Sequence, residues 1–95
     1  MINDNKNRKE ELLSVIATIS KDKDLLEAFL DDLLTPAEIA GLPKRWEIIR
    51  RLSKGESQWS IASNLKIGIA TVTRGSRELK KANSGFKRVL KLLSK

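Results

Sequence analysis

The stretch Ser57 to Leu79, SQWSIASNLKIGIATVTRGSREL, constrains this chain more than any other part of it. Ile61, Ala62 and Leu65 stand at i, i+1 and i+4, the apolar stripe of a short helix opening at Ser57. Leu65-Lys66-Ile67-Gly68 spells a tight turn, and a second helix then carries Thr71, Thr73, Arg74 and Arg77. Two helices that cross steeply need a small residue at the contact, met by Ala62, and an apolar plug after the turn, met by Ile67. The layout is that of a helix-turn-helix at about residues 57–81. In such a unit the start of the second helix enters the DNA major groove and carries short polar and basic side chains.

Two other readings compete. KIGIATVT is rich in β-branched residues, so propensity alone spells a strand. The flanking segments are all helical, and a lone strand has nothing to pair with. Helix pairs joined by short turns also occur in bundles that never meet DNA.

Charge bears on that choice. Residues 1–43 carry five Lys and Arg against nine Asp and Glu, a balance of −4. Residues 44–95 carry fourteen against three, a balance of +11, which gives the net +7. For any single lysine, solvation of an exposed helix face is the ordinary role. A surplus of this size around a helix-turn-helix pattern points instead to a polyanion, nucleic acid first.

Ninety-five residues suffice for one small domain, 1–95, that buries about 60–70% of its unfolded surface. Four aromatic residues keep its core thin. Without cysteine or histidine there is no disulfide, no Cys/His metal set and no commonest general base, so an enzyme is not expected. No apolar run approaches the ~20 residues of a membrane span. The polar start INDNKNRKEE is the wrong pattern for a secretory signal, so a cytoplasmic protein is expected.

Taken in order, residues 1–6 read as frayed, and a first helix runs to about Ser20 with Leu12, Val15, Ile16 and Ile19 on one stripe. Ser20 or Asp22 caps a second helix whose apolar residues come in pairs: Leu25/Leu26, Phe29/Leu30 and Leu33/Leu34. That stripe suits an ordinary core helix or one wedged between partners in a dimer, and composition does not choose. Thr35-Pro36-Ala37-Glu38 is a capping box with proline at the first helical position. The third helix has Ile39, Leu42, Trp46 and Ile49 on its apolar face. Pro43 predicts a kink or brief break near Gly41, and Gly55 a left-handed stop. Asn83 or Ser84 caps a final helix striped by Phe86, Val89, Leu90 and Leu93.

From about Leu25 to Leu93 the chain resembles the Trp repressor family of bacterial transcription regulators, in an amino-terminally shortened form. The likeness rests on LLTPAEI at 33–39 and GIATVTRGS at 68–76, linked by RWEIIRRLSKGESQ at 45–58. GIATVTRGS is the most specific, because a mid-helix Gly75 has no purpose in a generic helix. The resemblance implies an all-α chain of six helices in an interlaced homodimer, with L-tryptophan as corepressor and a palindromic double-stranded DNA operator as target. It places the indole between Arg45 and Arg74, with Arg74 also reaching the carboxylate and Gly75 leaving room for the ring. Guanidinium suits both tasks. The turn at Asp32, Leu33, Leu34 and Thr35 of the other subunit would offer backbone carbonyls to the ammonium. The bland alternative for both arginines is phosphate contact. On this layout Gln58, Ile69, Ala70, Thr71 and Thr73 are placed to approach base edges and phosphates, with Lys80 on the DNA backbone.

Three positions depart from the family. Glu78 stands where the family has a small hydroxyl residue near the ligand ammonium; a carboxylate there either strengthens that contact or pairs with Arg74 at i−4 and closes the pocket. Trp59 takes the place of the main base-reading arginine and cannot make arginine's bidentate contact to guanine. Lys66 replaces the usual turn glycine, at a cost of roughly 1 kcal/mol if φ is positive there. Two other readings stay open: a related DNA-binding regulator with a different ligand or none, and a helical protein-interaction module without DNA binding.

Overall fold

The computed structural model describes residues 4–94, and all of its regular structure is helical: α1 (Asp4–Ile19), α2 (Lys23–Leu33), α3 (Pro36–Ser53), α4 (Gln58–Leu65), α5 (Ile69–Lys80) and α6 (Gly85–Leu93). There is no strand among the described residues, so the β-branched run at 67–73 is overruled as expected. Contacts divide the chain into two compact units, one ending at Ile39 and one beginning at Ala40.

In the first unit, α1 and α2 pack on each other. Asp4 to Lys6 already belong to α1, so the fraying expected there is corrected for these residues; the first three lie outside the described residues. Asp4 places a carboxylate in the first turn, where the helix dipole favours it. Of the two caps considered for α2, Asp22 is used, its Oδ1 accepting from the Leu25 amide at 3.0 Å. The Ser20 hydroxyl donates to the Ala17 carbonyl instead. Neither α1 nor α2 holds a buried residue, and Leu12, Leu13, Val15, Leu25 and Leu33 are all exposed.

The capping box forms in both directions. The Thr35 amide donates to Glu38 Oε1 at 2.8 Å, and the Glu38 amide donates to Thr35 Oγ1 at 3.2 Å. Those bonds hold the Glu38 carboxyl below its ordinary range, the Thr35 amide being the larger cause. From there α3 runs unbroken through Gly41 and Pro43, so of the kink or brief break expected there the break is absent. Helical φ is what proline prefers, and the one amide bond it lacks does not interrupt the rest.

The second unit is built on Ile48, Ile61, Ala62 and Val72, with Leu52, Leu65, Ile67 and Ile69 half-buried around them. Burial of each large side chain contributes about 1.5–3 kcal/mol. The inner face of α3 therefore centres on Ile48 and Ile49, whereas Leu42, expected on that face, is 42% exposed. α3 stops at Gly55 (φ +90), with Glu56 N–H to Arg51 O at 3.1 Å and Gly55 N–H to Leu52 O at 3.0 Å, a Schellman pair. Ser57 caps α4 through the Ser60 amide. The turn to α5 repeats the Schellman pair with a lysine: Lys66 has φ 55 and ψ 49, and Ile67 N–H reaches Ala62 O at 3.0 Å. α4 and α5 pack together, as do α5 and α6, and Ser84 rather than Asn83 caps α6.

Lys66 is the one non-glycine residue with positive φ among the described residues. Left-handed backbone costs an L-residue about 1–2 kcal/mol, partly offset by the ~0.5–1 kcal/mol entropy penalty of glycine. Lys66→Gly is therefore expected to raise stability by roughly 0.5–1 kcal/mol, read as a higher urea midpoint at unchanged slope.

Candidate ligand cleft and nucleic-acid surface

Within the second unit, α3, α5 and α6 enclose a cleft of about 260 Å³ lined by Arg45, Ile48, Ile49, Thr71, Arg74, Gly75, Glu78 and Phe86. It lies just below the ~300 Å³ at which small-molecule sites begin. Four residues singled out in the sequence, Arg45, Arg74, Gly75 and Glu78, are thus brought together. Asp32, Leu34 and Thr35 belong to the first unit, where the Thr35 carbonyl already accepts from the Ile39 amide at 2.9 Å.

Each wall has a local cause. Gly75 lets α5 approach α3: a Cβ there would stand 3.2 Å from Ile48 Cγ2 and 3.4 Å from Ile49 Cδ1. Its purpose in mid-helix is thus close packing as well as room in the cleft. One turn of α5 then sets Arg74 and Glu78 on the same side. Arg45 and Arg74 are exposed and make no hydrogen bond or ion pair among the described residues. Of the two roles open to Glu78, the pairing with Arg74 does not form. Glu78 Oε2 instead takes Lys81 Nζ at 2.7 Å. That hydrogen bond is the first cause of a Glu78 pKa below the ordinary 4.5, with the fields of Lys81, Arg74 and Arg77 adding to it.

Sequence reasoning missed Ile48, Ile49 and Phe86 as cleft walls and Thr71 as a lining residue. Phe86 was legible only as part of the α6 stripe, and nothing local marks it as facing α5.

Of the residues assigned to DNA, Trp59, Ala70, Thr71 and Lys80 are exposed, Trp59 by 73%. Ile69 packs against the core and is only partly available. Gln58 and Thr73 hold one another, the Thr73 hydroxyl donating to Gln58 Oε1 at 2.7 Å, which ties the start of α4 to the middle of α5. The acidic groups of this unit are spent on neighbours. Glu47 accepts from Arg50 at 2.8 Å and Arg51 at 2.9 Å, Glu56 lies 3.5 Å from Arg51, and Glu78 holds Lys81. Lys80 and Arg77 make no ion pair among the described residues. No group of His, Cys, Asp or Glu among the described residues suits a metal ion, and no helix there is long and apolar enough to cross a membrane.

The family model of the Trp repressor protein matches residues 7–94. The chain is similar to a Trp operon repressor homolog of Vibrio parahaemolyticus, 47% identical over 75 residues, which cover 78% of this chain and 73% of that one. A second Trp operon repressor homolog, from Vibrio campbellii, is 45% identical over 75 residues, with 78% and 75% covered. An uncharacterized protein of Bacillus subtilis, YerC, is 34% identical over 87 residues, with 90% and 84% covered.

The Glu78 carboxyl offers a direct check of the cleft's electrostatics. Because its folded pKa is lowered, the stability it contributes is present above the unfolded value and is lost as pH falls through the folded one. Lys81→Met should move the Glu78 titration, followed by NMR, back toward its ordinary range. The same variant should lower stability at neutral pH and lose that deficit in acid below the folded pKa.

Proposed function

The chain belongs to the Trp repressor family, and from that premise we propose that it is a homodimeric repressor that takes L-tryptophan as corepressor and binds a palindromic operator. The family is one of transcription regulators, not of enzymes. One observation carries the ligand half of the reading: an apolar slot of Ile48, Ile49 and Phe86 flanked by two guanidiniums, Arg45 and Arg74, with no hydrogen bond or ion pair of their own among the described residues. A planar cation stacks on an aromatic face and pairs bidentately with a carboxylate, so an aromatic amino acid satisfies both arginines at once. In the dimer the partner's Asp32, the partner's Leu34 and the partner's Thr35 would supply backbone oxygen to the ammonium.

On DNA, Ala70 and Thr71 at the start of α5 meet base edges together with Gln58, Ile69 and Thr73, and Lys80 meets phosphate. Trp59 offers an apolar contact of the kind a thymine methyl takes. The +11 balance of residues 44–95, with its three acids already paired, supports this surface. The dimer is supported by the first unit, whose α1 and α2 bury no side chain and leave leucines and a valine exposed by 36–54%. Within the dimer, residues 1–95 act as a single domain.

A second reading, a related regulator with another ligand or none, draws on Glu78, which adds a carboxylate to the cleft. Calorimetric titration with L-tryptophan separates the two: binding by the wild type and its loss in Arg74→Ala fit the first, and no heat of binding by the wild type fits the second. Lys80→Ala should weaken binding to all duplexes alike and flatten the dependence of log K on log salt by about 1.8, one phosphate for each chain of the dimer. If two chains fold together, the melting temperature rises with protein concentration. A melting temperature constant over a hundredfold dilution would contradict the dimer.

A further inference from the structure

Among the described residues, Glu78 is the one carboxylate lining the cleft, and it also borders a shallower groove on the outside, shared with Lys81, Ser84 and Val89. The ammonium of Lys81 sits on that outer side, 2.7 Å from Glu78 Oε2, with 64% of the Lys81 side chain in solvent. Among the described residues, the cleft therefore has two guanidiniums with no ion pair and one carboxylate whose charge is met by a movable cation. A purely anionic ligand uses the arginines and leaves the Glu78–Lys81 pair as it is. A zwitterionic ligand brings its own cation toward Glu78, and the two ammoniums then compete for one carboxylate.

We propose that Lys81 is an exchangeable counter-ion: the ammonium of an amino-acid ligand takes over Glu78, and the released Lys81 becomes available to a DNA phosphate. The inference rests on the reading of the cleft as an amino-acid site and adds to it a route from ligand to DNA. Lys81 is well placed for that route. It directly follows α5, next to Lys80, at the end of the helix whose start faces the bases. An exposed pair such as this one holds its partners by a factor of about five or less. That is small enough for a ligand ammonium to displace and large enough to measure. Because coupling is reciprocal, the same factor sets how far DNA improves ligand binding.

The test is a double-mutant cycle on the full chain with Lys81→Met, Glu78→Gln and both together. Calorimetry is run with L-tryptophan and with indole-3-propionate, which lacks the ammonium. The duplex is the tightest one selected from a random library by the tryptophan-bound protein. Lys81→Met should raise the tryptophan preference over indole-3-propionate by about threefold to fivefold. Glu78→Gln should lower that preference, and in its background Lys81→Met should have no further effect. Tryptophan should steepen the salt dependence of duplex binding by about 1.8, one phosphate for each chain of the dimer, more in the wild type than in Lys81→Met. If the wild type binds neither probe, the corepressor reading falls and this inference with it. If it binds tryptophan but Lys81→Met acts equally in both Glu78 backgrounds, or the salt slopes respond equally to tryptophan, the counter-ion exchange alone is overturned.

Discussion

The close approach of α5 to α3 at Gly75 is the contact on which the second unit depends. With no Cβ at that position, the α5 backbone settles against Ile48 and Ile49. Val72, one turn earlier, is then fully buried with Ile61 and Ala62 of α4. The same approach fixes where Arg74 and Glu78 emerge, because each is a direct or one-turn neighbour of the glycine. A bulkier residue would push the helices apart, and α5, the cleft and the core would shift together.

The first unit follows a different logic. α2 is capped by Asp22 and packs on α1, yet nothing in either helix is removed from water to the degree seen at Ile48 or Ile61. Local hydrogen bonds specify the helices, but hydrophobic burial is what normally outweighs the entropy of ordering a chain. Apolar stripes left this open are what the proposed second copy of the chain would cover.

What was legible in the sequence was local chemistry. Thr35 and Glu38, Asp22, Gly55 and Ser57 act on atoms three or four residues away, so spacing alone locates them. Lys66 was legible for the same reason, as a residue forced into a glycine's backbone. Arg45, Arg74, Gly75 and Glu78 came together as the family resemblance implied, since the motif carries its own spacing. The rest depends on choices between neighbours. Glu78 has Arg74 one turn back and Lys81 one turn ahead, and helical spacing permits both. Only the end of α5 at Lys80, which frees the next residue to fold back, decides for Lys81. Ile48 displaced Leu42 from the inner face because burial is set by what packs against α3, which the α3 sequence does not contain. The Gln58–Thr73 bond spans fifteen residues and was beyond any periodic pattern.

Ile48 and Ile49 serve on two sides at once, as lining of the cleft and as members of the packed interior. This double duty restricts how the protein can acquire a new ligand preference. A change that reshapes the slot from its floor also disturbs side chains that are 1–2% exposed, and is filtered first for folding. Rim positions carry no such burden: Arg45, Arg74 and Glu78 stand at the edge, partly in solvent. If the cleft takes the proposed ligand, variation there would change its preference without touching the interior, so the rim is where innovation is cheap. Glu78, the carboxylate of the cleft, is a rim residue.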